Sequence, residues 1–218
     1  MTTPLHSFTT ERLLIRPLAE QDRNFFCLQF TNEKVMRHTG GTLTEEQAEK
    51  AFQRALNANE RAKKGGKKSL LTWAIVCLKQ EIVIGTQTLS FLIRPHNKKI
   101  IQQAEESGIK HTEIGIMLSP SANGKLFPEE AMGALMEYAF TQLSICRINA
   151  FYDSKNIATK RFVKKLGFSE VKTLNDNYNA ANLKSDNLTT NIPKTHYQYF
   201  DNEHWQQQLI IKLFPLLS

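Results

Sequence analysis

Between Glu113 and Leu143 the chain passes from an apolar strand pattern, Glu113-Ile114-Gly115-Ile116-Met117-Leu118, through Ser119-Pro120 and Gly124-Lys125, into its strongest helix pattern. Pro128 stands near the first helical position and Glu129 and Glu130 fall in the first turn. Ala131, Met132, Leu135, Met136, Ala139, Phe140 and Leu143 then form one apolar stripe. A strand over Arg147 to Tyr152 follows. After it come a helix from Asn156 to Leu166 with Ile157, Phe162, Val163 and Leu166 inward, a stop at Gly167, and a strand from Phe168 to Thr173. Strand, helix and strand in this order require a parallel step with a right-handed crossover.

The first half reads differently. Arg12 to Leu18 is a short strand closed by Pro17, and Asp22 is placed to cap a helix carrying Phe25, Phe26, Leu28 and Phe30. Thr44 and Gln47 have capping-box spacing ahead of a helix through Ala48, Ala51, Phe52, Ala55 and Ala62. Leu70 to Leu78 and Ile82 to Leu92 are strand runs joined by Lys79-Gln80-Glu81, which predicts an antiparallel hairpin. A last strand covers His196 to Phe200, with Asp201 as cap of a terminal helix through Trp205, Leu209, Ile210 and Leu213. The polar stretches 95–110 and 175–191 read as insertions.

With 218 residues, 41% of them apolar, the chain buries a core without needing a disulfide or a metal staple. Cys27, Cys77 and Cys146 are isolated and lack metal-ligand spacing, so no metal site is expected. No run reaches the ~18 apolar residues of a membrane span. Residues 1–10 lack the basic and apolar regions of a leader, and a cytoplasmic protein is the expectation. The net charge of +7 favours an anionic partner. The interleaved aromatic and basic residues that would make that partner nucleic acid are missing. Lys63, Lys64, Lys67 and Lys68 around Gly65-Gly66 read as a solvated loop.

Three pieces, in this order, are more specific. They are Thr10-Glu11-Arg12-Leu13-Leu14-Ile15-Arg16; Glu113-Ile114-Gly115 followed by Gly124-Lys125 and Glu130-Ala131; and Asn156-Ile157-Ala158-Thr159 closing on Leu166-Gly167-Phe168. Together they resemble the GNAT superfamily of acyl-CoA N-acyltransferases, and within it the ribosomal-protein alanine N-acetyltransferase branch, whose closing segment Tyr197 to Trp205 also resembles. The resemblance implies an α/β (α+β) GNAT fold: a mixed, twisted sheet of about seven strands with flanking helices, in a single domain over residues 1–218. It also implies acetyl-CoA as cosubstrate, a primary amine as acceptor (a protein N-terminus, an amino acid or a small-molecule amine), no metal, and a monomer or homodimer.

Acyl transfer from a thioester to an amine needs a place for phosphates, a donor for the carbonyl or thiolate, and a route for the amine proton. The loop from Asn123 to Pro128 joins a strand to a helix, so main-chain N–H groups and the helix dipole can meet an anion there. It resembles the family's pyrophosphate loop, Gln/Arg-x-x-Gly-x-Gly/Ala, but Asn123 takes the first position, Leu126 the motif glycine and Pro128 the Gly/Ala position. Leu126 adds a side chain where backbone should approach phosphate, and Pro128 removes an N–H. Gly124, Lys125 and Phe127 remain as donors. The resemblance adds Met117 and Leu118 on the preceding strand, with Asn156 and Thr159, as cosubstrate contacts. An ordinary proline-initiated helix start is the other reading of the loop.

Thr159 falls where the resemblance places a serine that assists the thiolate; a hydroxyl bonded back to its own helix is the other reading. Asn156 is either a cofactor contact or a plain N-cap. Glu113 matches a family glutamate that accepts the amine proton, a role suited by partial desolvation, though strand-initial glutamates are often just solvated. His38, His111 and His196 are alternative bases. Cys146 has no fixed histidine partner and is set aside as a nucleophile. Lys160, Arg161, Lys164 and Lys165 either border the cosubstrate or form a solvated face. Two functions follow: an acetyl-CoA-dependent N-acetyltransferase, or a non-catalytic binding module on the same scaffold with a degenerate phosphate loop.

Overall fold

The structure, a computed structural model, describes residues 5–91, 110–122, 124–170 and 195–213. Asn123, the insertions at 95–109 and 175–191, and the end of the strand expected through Thr173 lie outside them. In chain order it contains β1 (Phe8–Thr9), β2 (Leu13–Pro17), α1 (Arg23–Thr31), α2 (Glu33–Met36), α3 (Glu45–Lys63), β3 (Leu70–Cys77), β4 (Ile82–Ser90), β5 (His111–Leu118), α4 (Phe127–Gln142), β6 (Arg147–Asp153), α5 (Ile157–Lys165), β7 (Ser169–Glu170), β8 (Thr195–Asp201) and α6 (Asn202–Leu213). Among the described residues the strands make one mixed sheet, ordered β1-β2-β3-β4-β5-β6-β8-β7. Its terminal strands β1 and β7 have two residues each, so the expectation of about seven strands holds. No helix among the described residues is long and apolar enough to cross a membrane.

Local chemistry sets the elements much as expected. Thr44 Oγ1 accepts from Gln47 N at 3.2 Å while Gln47 Oε1 accepts from Thr44 N at 2.9 Å, which closes the predicted capping box of α3. The β3–β4 hairpin is antiparallel, and β5 and β6 make the parallel step with α4 as its crossover. The stripe of α4, including Ala131, Leu135, Met136 and Ala139, packs with Leu13, Ile15, Leu71, Trp73, Leu89 and Ile148 in the main core. Each large side chain buried there contributes about 1.5–3 kcal/mol. A smaller cluster of Leu18, Phe26, Phe52 and Ala55 lies on the opposite face, under α1 and α3.

Two expected caps are otherwise engaged. Asp22 makes no side-chain cap for α1. It is 1% exposed, accepts both Arg16 Nη groups at 2.7 Å, and receives Ala19 N at 2.9 Å. A bidentate guanidinium in a buried place outcompetes a single helix N–H. Asp201, the last residue of β8, likewise takes Arg147 Nε at 2.6 Å and Nη2 at 3.0 Å. Of the apolar residues on α1, Phe26 is buried and Leu28 is 69% exposed.

Candidate active site

The parallel pairing of β5 with β6 covers three positions, His111↔Arg147, Thr112↔Ile148 and Glu113↔Asn149. Beyond Glu113 the strands part. β5 stays on β4 as far as Leu118, and β6 stays on β8 as far as Asp153. Ser119 N donates to Ile84 O at 2.8 Å, which sets the phase of the β4–β5 ladder. By the two-residue alternation of an antiparallel pair, the main-chain groups of Ile114, Ile116 and Leu118 then face the opening. Side chains alternate between the faces: Ile114 joins the core beneath α4, while Glu113, Gly115 and Met117 belong to the face under α1 and α3. Gly85 permits the close approach of β4 here, because a Cβ on it would come within 2.5 Å of Met117 O.

The loop after β5 forms a short 3-10 turn, Pro120–Ala122, and enters α4 through Gly124 at φ +76° and Leu126 at φ 60°, ψ 13°. Leu126 is the N-cap residue, in the left-handed region, with no side-chain cap bond. Among the described residues no side chain caps the positive end of this 16-residue helix. Two carboxylates in its first turn would repel an anion if they were unpaired, and both are paired. Glu129 Oε1 meets Lys165 Nζ of α5 at 3.2 Å. Glu130 accepts the Thr10 hydroxyl, Arg12 N at 2.9 Å and Arg12 Nε at 2.6 Å. Desolvation pushes the Glu130 carboxyl up, but these hydrogen bonds from Thr10 and Arg12 outweigh it and hold its pKa below the ordinary carboxylate value. Arg12 also donates Nη1 to Lys125 O at 3.0 Å and lies 4.6 Å over the Phe127 ring. Arg12 thus touches the loop, the first helical residue and the first-turn acid together.

On the other side of the opening, Asn156 Oδ1 caps α5 by accepting Thr159 N at 3.1 Å. The half-buried Thr159 hydroxyl has no hydrogen-bond partner among the described residues, unlike Thr141, whose hydroxyl bonds back to Glu137 O at 2.7 Å. Asp153, at the end of β6, accepts Lys155 N at 2.9 Å and faces His38 Nδ1 at 3.3 Å. The Lys155 N–H first, and His38 second, hold its carboxyl below the ordinary value. Cys27 is a poor nucleophile, its thiol pushed up by desolvation and then by Glu49.

The structure thus gathers Glu113 at the vertex, Leu118 along the strand, Gly124 to Phe127 at the helix start, and Asn156 with Thr159 across the gap. Met117 stands somewhat apart: its carbonyl accepts Gln29 Nε2 at 3.1 Å, and its side chain lines a cavity of about 470 Å³ beneath α1 and α3. His111 opens β5 and His196 lies in β8. Of the basic run on α5, Lys165 is tied to Glu129, while Arg161 and Lys164 are exposed. Sequence reasoning did not find the cavity, the His38–Asp153 pair or the Arg12–Glu130 contact. Opposite charges on two motif pieces, Arg12 and Glu130, were the available signal for the last.

The family model described as acetyltransferase (GNAT) domain matches residues 12–169. The uncharacterized N-acetyltransferase YoaA of Bacillus subtilis (strain 168) is 27% identical over 163 residues, 74% of this chain and 81% of that protein. Among solved structures, spermidine N-acetyltransferase from Vibrio cholerae in complex with CoA and spermine has a TM-score of 0.64 at 16% identity, covering 90% of this chain and 99% of that one. The Salmonella typhimurium acetyltransferase that modifies the N-terminal serine of ribosomal protein L7/L12 has a TM-score of 0.63 at 15% identity, covering 88% and 96%. These likenesses establish a shared fold. With the family model spanning most of the chain, from the Arg12 clamp through the parted strands to the stop of α5, this protein belongs to the GNAT acetyltransferase family.

Proposed function

We propose that the chain transfers an acetyl group from acetyl-CoA to a primary amine that enters from the α1–α3 face, by direct attack and without a covalent enzyme intermediate. The observation that carries this reading is the parting of β5 and β6 beside the uncapped start of α4. An anion-binding end and an exposed strand edge stand next to one another there. The presence of CoA and spermine in the Vibrio cholerae protein supports the same class of cosubstrate.

The residues present fit such a cosubstrate. The main chain of Gly124, Lys125, Leu126 and Phe127 at the start of α4 would hold phosphate, with Asn123 at the head of the loop. The Met117–Leu118 end of β5 and Asn156 would flank the arm. Acetyl-CoA supplies a thioester, whose carbonyl an amine attacks and whose leaving group is a thiolate. Glu113, at the vertex and on the face from which the amine comes, accepts the amine proton. Main-chain N–H groups on the opening side of β5 donate to the carbonyl oxygen as negative charge develops there. Thr159 Oγ1, uncommitted to its own helix, donates to the departing sulfur.

Calorimetric titration with acetyl-CoA and with CoA tests the binding half of this reading. Micromolar affinity, about −8 kcal/mol, is expected; no heat at millimolar cosubstrate refutes it. For the chemical half, Glu113→Gln lowers kcat by about 100-fold, the low end of the range for a general base, and Thr159→Ala lowers it by about 10-fold, less than a full general acid would. A Glu113→Gln enzyme within twofold of wild type removes Glu113 from the mechanism.

A further inference from the structure

We infer that the acceptor is a small primary amine whose far end carries a carboxylate, seated in the cavity beneath α1 and α3 with its anion on Arg54 and Arg61. The inference rests on the transferase reading above and specifies its acceptor.

The sheet register places this cavity beside the parted strands. Asn59 pins α3 over β3, donating Nδ2 to Thr72 O at 2.8 Å and accepting Thr72 N at 3.0 Å. Thr72 pairs with Thr88, and Thr88 pairs with Gly115, two residues from Glu113. One row across the sheet therefore leads from α3 to the vertex. Gly115 keeps that row open, since a Cβ on it would meet Thr88 Oγ1 at 2.7 Å. The Thr88 hydroxyl lines the cavity and has no hydrogen-bond partner among the described residues, which suits it to accept from an amine. The walls are mostly apolar, with Phe26, Phe30 and Ala55 among them, and fit a hydrocarbon spacer.

Charge decides the far end. Arg54 and Arg61 both line the cavity from exposed positions on α3, one on either side of Ala58. Neither has an ion-pair partner among the described residues, although nearby Arg23, Lys50 and Lys63 are all paired with glutamates. Two uncommitted guanidinium groups on an apolar cavity attract a carboxylate and repel a second ammonium. Such a site selects against polyamines.

The test uses the whole protein with three amines of one length: 6-aminohexanoate, hexylamine and 1,6-diaminohexane. Acetyl transfer to each is measured, CoA binding is measured separately by calorimetry, and both are repeated on the Arg54→Gln/Arg61→Gln variant. The expected result is a kcat/KM for 6-aminohexanoate about tenfold above hexylamine, carried by KM, with the diamine lowest. In the variant that preference falls to about one, and CoA binding reports that the variant is folded. If CoA binds but the diamine leads, the three amines react alike, or none is acetylated, the acceptor inference is overturned and CoA recognition stands. If CoA does not bind the wild-type protein, the transferase reading fails and the acceptor inference falls with it.

Discussion

Replacing Glu130 by alanine removes the acceptor on which Thr10, the Arg12 main chain and the Arg12 guanidinium converge. Leaving the part-buried Arg12 N–H and Thr10 hydroxyl without a charged acceptor costs about 1.5–3 kcal/mol. The guanidinium is a weaker case, because Arg12 is 42% exposed against 17% for Glu130. Water replaces much of what it loses, and that share stays below about 1 kcal/mol. A total of about 2–4 kcal/mol lowers Tm by roughly 5–15 °C in a chain of this size. The adjacent Glu129→Ala is the internal comparison: its lysine partner is 58% exposed, and the loss should be under about 0.5 kcal/mol.

The pH dependence has a definite sign. Glu130 has a depressed pKa in the folded protein. Its stabilisation is fully present above the unfolded value of about 4.3 and is lost as pH falls through the lower folded value. Urea denaturation should show a gap between wild type and Glu130→Ala that is constant from about pH 7 to 5 and closes below about pH 4. The same variant should bind CoA about tenfold more weakly, since Arg12 also holds Lys125 O and covers Phe127. Equal losses from Glu129→Ala and Glu130→Ala, or a gap that widens in acid, refutes the reasoning.

Leu126→Gly relieves a left-handed leucine worth about 1–2 kcal/mol of strain but frees the unfolded chain, so stability stays within about 1 kcal/mol. CoA affinity nonetheless rises several-fold by calorimetry, because the 54%-exposed side chain is gone from the loop. Gln87 is fully buried on β4 and neither of its amide atoms has a hydrogen-bond partner among the described residues. Gln87→Met is therefore expected to stabilise by about 1 kcal/mol in thermal denaturation; a lower Tm would mean the amide holds a buried water. Asp22→Ala strands Arg16, which is 18% exposed. It should cost about 3 kcal/mol by urea titration, and a loss below about 1 kcal/mol contradicts a buried ion pair.

Local signals were legible where the deciding partner lies within a few residues. The Thr44–Gln47 box, the Asn156 cap and the β3–β4 hairpin all belong to that class. Asp22 defeats the same reasoning, because a capping preference cannot register that Arg16 is folded against it with better geometry. The parallel step was readable from element order, yet the parting of β5 and β6 after Glu113 was not, since register is settled by packing on both strands. The cavity is a further step removed. It depends on α3 being fixed to Thr72 by Asn59 and on the missing side chain at Gly115. None of these residues announces itself in the sequence by type or spacing.

The sequence pieces that carried the family resemblance turn out to meet at the start of α4. Arg12 of the first piece holds Glu130 and Lys125 O of the second, and Lys165, beside the third, holds Glu129. This bears on Leu126, which takes the place of the glycine in the family loop. If the segment had only to begin a helix, residue 126 would adopt an extended N-cap conformation, as Thr44 does at φ −69°, ψ 162°. Leu126 instead sits at φ 60°, ψ 13°, a conformation glycine adopts without strain and leucine only against about 1–2 kcal/mol. Arg12, from a distant segment, holds the loop through Lys125 O and Phe127. The substitution therefore changes what projects from the loop while leaving its backbone path and its uncapped helix end in place. A non-catalytic scaffold with a decayed anion site calls for the opposite, a relaxed backbone or a side chain capping the helix.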